Sequence, residues 1–190
     1  MSEKKNGGLG EIVNLVVVLG LITLMCALLL GFINQVTAPK IAENQKATRD
    51  LAMAAIIPGA EFTDLETTVE GDKTTPAITG VYEAVKDGAV VGYCVEVVPS
   101  GFGGGITMIV GINADGTVAG AKVNGHAETP GLGAKAQSDW IDQYAGVAAD
   151  GSLAVTKDGG TIQAITGATI TSRAVTLGVN TAANYVATLG

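Results

Sequence analysis

Residues 12–33, IVNLVVVLGLITLMCALLLGFI, carry no charge, and only Asn14 and Thr23 among them are clearly polar. As a helix rising ~1.5 Å per residue, the run is long enough to cross the ~30 Å hydrocarbon core of a bilayer. It is longer than the apolar part of a usual secretion signal and lacks a small-x-small cleavage site, so it predicts an uncleaved membrane anchor. Cys26 does not read as a lipoprotein cysteine, because Met25 precedes it and ALLLGFI still follows within the run. The other cysteine, Cys94, lies in the apolar alternation VVGYCVEVV. A thiol in the membrane and a thiol in a strand cannot pair, so no disulfide framework exists. Lys4 and Lys5 precede the anchor while Lys40, Lys46 and Arg49 follow it, and this balance favours neither orientation.

Pro39 predicts a break before an alanine-rich helix over about 40–56, which Pro58-Gly59 stops. Residues 64–77 are polar and read as a loop or weak edge strand. From 78 to 124 the pattern is β: TGVYEAV, AVVGYCVEVV, GITMIVGIN and TVAGAKVNG, divided by Asp87-Gly88, by SGFGGG and by Asp115-Gly116. Asp-Gly between alternating segments is a hairpin signal. AKAQSDWIDQYAG predicts a helix around the only tryptophan, Trp140, and LAVTKDGGTIQAIT a short hairpin. In the last segment Val175, Val179, Ala182, Val186 and Leu189 form one apolar helical stripe. The expected fold class is α+β, with one N-terminal transmembrane helix and then a mostly antiparallel sheet with flanking helices.

The net charge of −7 argues against a nucleic-acid partner, since a phosphate backbone would be repelled. A metal site has little support: His126 is the only histidine and the cysteines lie elsewhere. There is no G-x-S-x-G elbow, and the Gly-rich SGFGGGITM has no Walker lysine. Two segments stand out. HAETPGLGAK (126–135) breaks regular structure with Pro130 and two glycines, and places Glu128 and Thr129 beside them. ITGATITS (165–172) gathers the hydroxyls of Thr166, Thr169, Thr171 and Ser172 around Gly167-Ala168 just before the terminal helix. Composition alone assigns that cluster to capping, with Thr171 or Ser172 as the N-cap. Free N–H groups and the helix dipole also make such a place an anion site, and Gly167 and Ala168 would let a phosphate approach the backbone.

An N-terminal anchor followed in order by TAPKIAENQ, GFGGGITMIVGI, HAETPGLGAK and ITGATITS resembles the G subunit of the Rnf complex. A close relative is the C subunit of the sodium-pumping NADH:quinone reductase. The resemblance implies covalent FMN, joined through its phosphate to the last threonine of Ser/Thr-Gly-Ala-Thr, here Thr169, with Thr166, Gly167, Ala168, Thr171 and Ser172 around it. It also implies that Glu128, Thr129, Gly131, Leu132 and Gly133 contact the flavin ring, with Lys135 as a nearby charge. No residue is assigned a catalytic or metal-binding role. The implied layout is a cytoplasmic segment 1–11, a transmembrane helix 12–34, a linker helix 35–60 and an extracytoplasmic FMN-binding domain 61–190. The implied function is electron carriage within a complex that couples electron flow between ferredoxin and NAD⁺ to Na⁺ or H⁺ translocation. Other Rnf subunits would be its partners and a flavin transferase its maturation enzyme. The alternatives are the quinone-reductase subunit, or an anchored ligand-binding or sensory domain in which ITGATITS only caps a helix. One departure from the family pattern is Gln163, which stands where an aspartate is common.

Overall fold

The computed structural model describes residues 7–72 and 74–189; Lys4 and Lys5, and the first part of the segment 1–11, lie outside them. The chain divides into two compact units, Met1–Ala47 and Thr48–Gly190. Helix α1 spans Gly7–Ile56, and every described side chain from residue 10 to residue 48 is exposed, including Leu15, Leu28 and Phe32. This exposed apolar stretch makes α1 long and apolar enough to cross a membrane. The break expected at Pro39 is absent, because α1 continues through it. A proline removes one N–H from the ladder, and the helix-forming residues on both sides keep the helix continuous across that gap. The separate linker helix of 35–60 is therefore the C-terminal part of α1, and its end at Ile56 agrees with the stop read at Pro58-Gly59.

In the second unit a five-stranded antiparallel sheet runs in chain order, β1 (Glu61–Asp64), β2 (Ala77–Lys86), β3 (Ala89–Val98), β4 (Thr107–Asn113) and β5 (Val118–Gly125). The four long strands are those that the alternation predicts; β1 is not legible in it, being four residues long with three of them exposed. Asp87 (φ 52°) and Gly88 (φ 79°) both take left-handed backbone at the β2–β3 turn, which matches the twist of the flanking strands.

Successive residues point to opposite faces of a strand, and both faces here are covered. Val95, Val97, Met108 and Val110 pack toward α2 (Thr169–Val186), meeting Val175, Val179 and Ala182 of its stripe. Leu189 lies past the end of α2 and is partly exposed, so the stripe closes one turn earlier than its spacing suggests. Tyr82, Ala84, Cys94 and Ile109 face the other way and cover Ala52, Met53 and Ile56 at the end of α1. Arg49 lies 4.9 Å from the centre of the Tyr82 ring, a cation–π contact on the same face. Burial pushes the Cys94 thiol up to about 12, which keeps it protonated and inert.

Two further expectations change. AKAQSDWIDQYAG forms two 3₁₀ helices, Gly133–Gln137 and Asp139–Tyr144, divided at the extended residue Ser138. The segment 153–166 is not a hairpin: Val155 pairs parallel with Ile162 around a 3₁₀ helix, Thr156–Asp158.

Gly111 of β4 faces Ile56, and a Cβ there would overlap the Ile56 Cγ2 methyl, whereas at Gly120 it would stand 3.7 Å away. Gly111→Val is expected to destabilise the domain by about 1–3 kcal/mol through overpacking, and Gly120→Ala by far less. Thermal unfolding of the two variants checks the difference.

Candidate functional site

The segments 101–105, 126–133 and 165–172 are distant in sequence and meet at the N-terminal end of α2. They enclose an open cavity of about 370 Å³. Phe102, Leu132 and Ile170 give it apolar walls, and Gly167, Ala168 and Thr169 form the side next to the helix. Phe102 is 70% exposed and Leu132 43%, so large apolar surface stands open around the cavity.

The first turn of α2 explains the polar character of the other side. Thr169 is the first helical residue and Ala168 is the N-cap, with no side-chain cap. The first intrahelical bond is donated by the Ser172 N–H to the Ala168 carbonyl (3.0 Å). Among the described residues, the N–H groups of Thr169, Ile170 and Thr171 therefore have no protein acceptor. Such unpartnered donors at the positive end of a helix attract an anion.

This arrangement corrects the capping assignment. Thr171 is buried and its hydroxyl donates to Glu128 Oε2 (2.5 Å). Ser172 is also buried; its hydroxyl accepts from the Ile165 N–H (2.9 Å) and donates to the Ala168 carbonyl (3.0 Å). Ser172 thus holds the loop before α2 and Thr171 ties the helix start to Glu128 of the segment 126–133, and neither closes the free N–H groups. Thr169, on the outer side of the same turn, is partly exposed and lines the cavity. Its Oγ1 accepts from Lys157 Nζ at 2.9 Å.

Glu128 is only 5% exposed. Its Oε1 accepts from the Gly103 N–H (2.8 Å) while Oε2 accepts from Thr171, so one carboxylate joins all three segments. Buried charge is tolerated where several donors satisfy it. The close fit requires small neighbours: a Cβ on Gly101 would strike Glu128 Oε1, one on Gly103 the Ala127 carbonyl, and one on Gly133 would lie 2.5 Å from Glu128 Oε2. Gly167 takes left-handed backbone (φ 80°) in the tight turn before α2.

Of the residues expected around a flavin, Glu128, Thr129, Leu132, Gly133, Gly167, Ala168, Thr169 and Thr171 line the cavity. Gly131 instead supplies a left-handed turn (φ 76°), and Thr166 is exposed outside the lining. Lys135 is exposed on the 3₁₀ helix Gly133–Gln137, also outside the lining. Sequence reasoning misses Phe102 and Lys157. Phe102 is hidden in a run of glycines, and nothing in the spacing of Lys157 announces that TKDGG returns to the start of α2. Gln163 is exposed, and its backbone is held from outside the motif: Trp140 Nε1 donates to its carbonyl (2.6 Å) and its N–H donates to Gln143 Oε1 (2.8 Å). The loop before Thr169 thus keeps its place without a carboxylate at 163.

A cavity with apolar walls beside free backbone donors and a lysine suits a planar, largely apolar ring carrying an anionic tail. Residues 101–184 match the FMN-binding domain family, and residues 9–56 match the RnfG N-terminal region. The G subunit of the Na⁺-translocating ferredoxin:NAD⁺ oxidoreductase complex of Acetobacterium woodii is 40% identical over 177 residues, covering 86% of each chain. The G subunit of the ion-translocating oxidoreductase complex of Shewanella piezotolerans is 36% identical over 182 residues, 88% of this chain and 85% of that one. The chain belongs to the family of G subunits of ion-translocating oxidoreductase complexes. The C subunit of the Na⁺-translocating NADH-quinone reductase of Parabacteroides distasonis has 28% identity and a TM-score of 0.47, covering 58% of this chain and 61% of that one.

Glu128→Ala would leave the Gly103 N–H and the Thr171 hydroxyl unpaired, at a cost of about 1–3 kcal/mol for each buried group. The expected result is a lower melting temperature together with faster hydrogen exchange at the Gly103 amide. Unchanged exchange there would show that the glycine loop is held by something else.

Proposed function

We propose that this chain is the membrane-anchored flavin subunit of an Rnf-type complex and that it carries FMN covalently on the Thr169 hydroxyl. The observation that carries the assignment is the position of Thr169. It is the one hydroxyl of its cluster that lines the cavity without a structural bond to a neighbouring segment's backbone or carboxylate, and it stands beside three free N–H groups. Thr171 and Ser172 are committed to the fold.

Bound FMN supplies the capacity to accept and release electrons. The chain's own residues bind and orient it. The N–H groups of Thr169, Ile170 and Thr171 receive the negative charge of the phosphoester, and Phe102 and Leu132 offer apolar surface to the ring. Glu128 keeps the two loops from separating. A tether at Thr169 prevents loss of the flavin and holds it near its electron partners at high effective concentration.

The relatives' names support electron flow between ferredoxin and NAD⁺ coupled to ion movement as the activity of the whole complex, with this chain as one carrier within it. The match of residues 9–56 to the RnfG N-terminal region favours this over a quinone-reductase subunit or a sensory domain. In this reading α1 crosses the membrane through residues 12–34, residues 1–11 lie in the cytoplasm, and the FMN domain lies outside it. A flavin transferase performs the attachment, and the remaining Rnf subunits are the partners. Alkaline phosphatase fused after the C-terminus is expected to be active in cells; an inactive fusion, with a fluorescent cytoplasmic reporter at the same place, would reverse the orientation.

The attachment itself is tested by in-gel flavin fluorescence after denaturation and by intact mass, on full-length protein co-expressed with a flavin transferase. The wild-type and Thr171→Val bands are expected to fluoresce and to gain the mass of FMN minus water, while Thr169→Val stays dark. A dark wild-type band would reject the tether, and a fluorescent Thr169→Val band would assign it to another hydroxyl.

A further inference from the structure

Among the described residues, one side chain bonds to the Thr169 hydroxyl: the Lys157 ammonium, at 2.9 Å. The turn that presents it is well fixed. Val155, just before it, is buried, and the Thr156 N–H donates to the Ile162 carbonyl (2.8 Å). Gly159 closes the 3₁₀ helix with left-handed backbone (φ 85°), and at Gly160 a Cβ would strike the Ala154 carbonyl. Asp158 then accepts two bonds from Arg173, from Nε at 2.7 Å and Nη2 at 2.6 Å. Arg173 lies one turn beyond Thr169 on α2, so this pair docks the lysine-bearing turn onto the helix start. The Arg173 guanidinium holds the Asp158 carboxyl below its ordinary range, so the pair stays charged through neutral pH.

The pairing also decides which cation is free. Arg173 and Asp158 cancel each other, whereas Lys157 has no carboxylate within salt-bridge distance among the described residues. In a chain of net charge −7, Lys157 thus keeps an uncompensated charge on the Thr169 hydroxyl oxygen.

Building on the reading of Thr169 as the flavin anchor, we infer that Lys157 is the positioning cation of the attachment site. Before attachment its ammonium donates to Oγ1, which fixes the threonine side chain and leaves the hydroxyl's own proton free for removal. In the attachment step Oγ1 forms a bond to the phosphorus of an activated flavin phosphoanhydride. The bond from that phosphorus to its phosphate leaving group breaks, and the hydroxyl proton passes to a base of the transferase. No electrons are exchanged with an external carrier. Afterwards the Lys157 charge stands beside the phosphoester anion and adds to the free N–H groups in balancing it.

The test uses full-length protein with a flavin transferase and its flavin dinucleotide substrate, following loading over time by intact mass. Lys157→Gln is expected to load about tenfold more slowly than wild type, and Lys157→Glu more slowly still. Lys157→Arg should recover most of the rate, and Lys122→Gln, on the exposed side of β5, should load like wild type. Fully loaded Lys157→Gln should show a displaced ³¹P resonance of the phosphodiester, with a melting temperature equal to wild type before loading. Wild-type loading rate together with an unmoved ³¹P signal in Lys157→Gln would overturn the role of Lys157 alone. A wild-type protein that never loads, or that loads at another residue by peptide mapping, would overturn the Thr169 reading and this inference with it.

Discussion

The cavity depends on one buried carboxylate. Glu128 accepts a hydrogen bond from the Gly103 N–H in the glycine loop after β3 and another from the Thr171 hydroxyl in the first turn of α2, while its own backbone belongs to the irregular segment after β5. Each of these segments lacks regular hydrogen-bonding partners of its own, and loops are stable only where their polar groups are satisfied. The glycines at 101, 103 and 133 follow from this arrangement, because the carboxylate and its neighbours occupy the space where a Cβ would stand. A residue that the family resemblance offers as a ring contact thus belongs to the frame of the site.

The frame in turn rests on a sheet covered on both faces. The end of α1 packs on Tyr82, Ala84, Cys94 and Ile109, and α2 packs on the opposite side through Val175 and Val179. β4 is buried along its central residues, so a shift of either helix would be felt by the strand that follows the glycine loop. This coupling gives the α1 end a second use, since the segment that continues from the membrane helix also completes the core of the flavin domain.

Periodicity makes the four long strands and the α2 stripe legible, because each follows from alternation or helical spacing over many residues. The two 3₁₀ helices around Trp140 look like one helix in the sequence, since the polar and apolar residues there suit either geometry. Their true shape follows from tertiary bonds such as Trp140 Nε1 to the Gln163 carbonyl and Tyr144 to Thr176. Pro39 misleads for a different reason: a proline removes one N–H from the ladder, yet the residues on both sides keep their helical bonds and α1 runs on to Ile56. In the site, motifs mark the two loops and the helix start. They cannot mark Phe102 or Lys157, which enter through segments whose local sequence is that of ordinary turns.

The hydroxyl cluster shows why side-chain direction, more than residue type, separates anchor from frame. Thr169, Thr171 and Ser172 lie within one helical turn, at successive angles of about 100° per residue. Thr171 and Ser172 therefore turn toward the core, where a hydroxyl is stable only when bonded, and each has found its partner. Thr169 turns outward, where no such requirement applies, and its oxygen is left to a lysine that solvent can replace. A capping role for any of the three would have closed the free N–H groups of the first turn. By using one hydroxyl to brace the preceding loop and another to bind Glu128, and leaving the third unspent, the chain keeps those donors open beside the Thr169 oxygen.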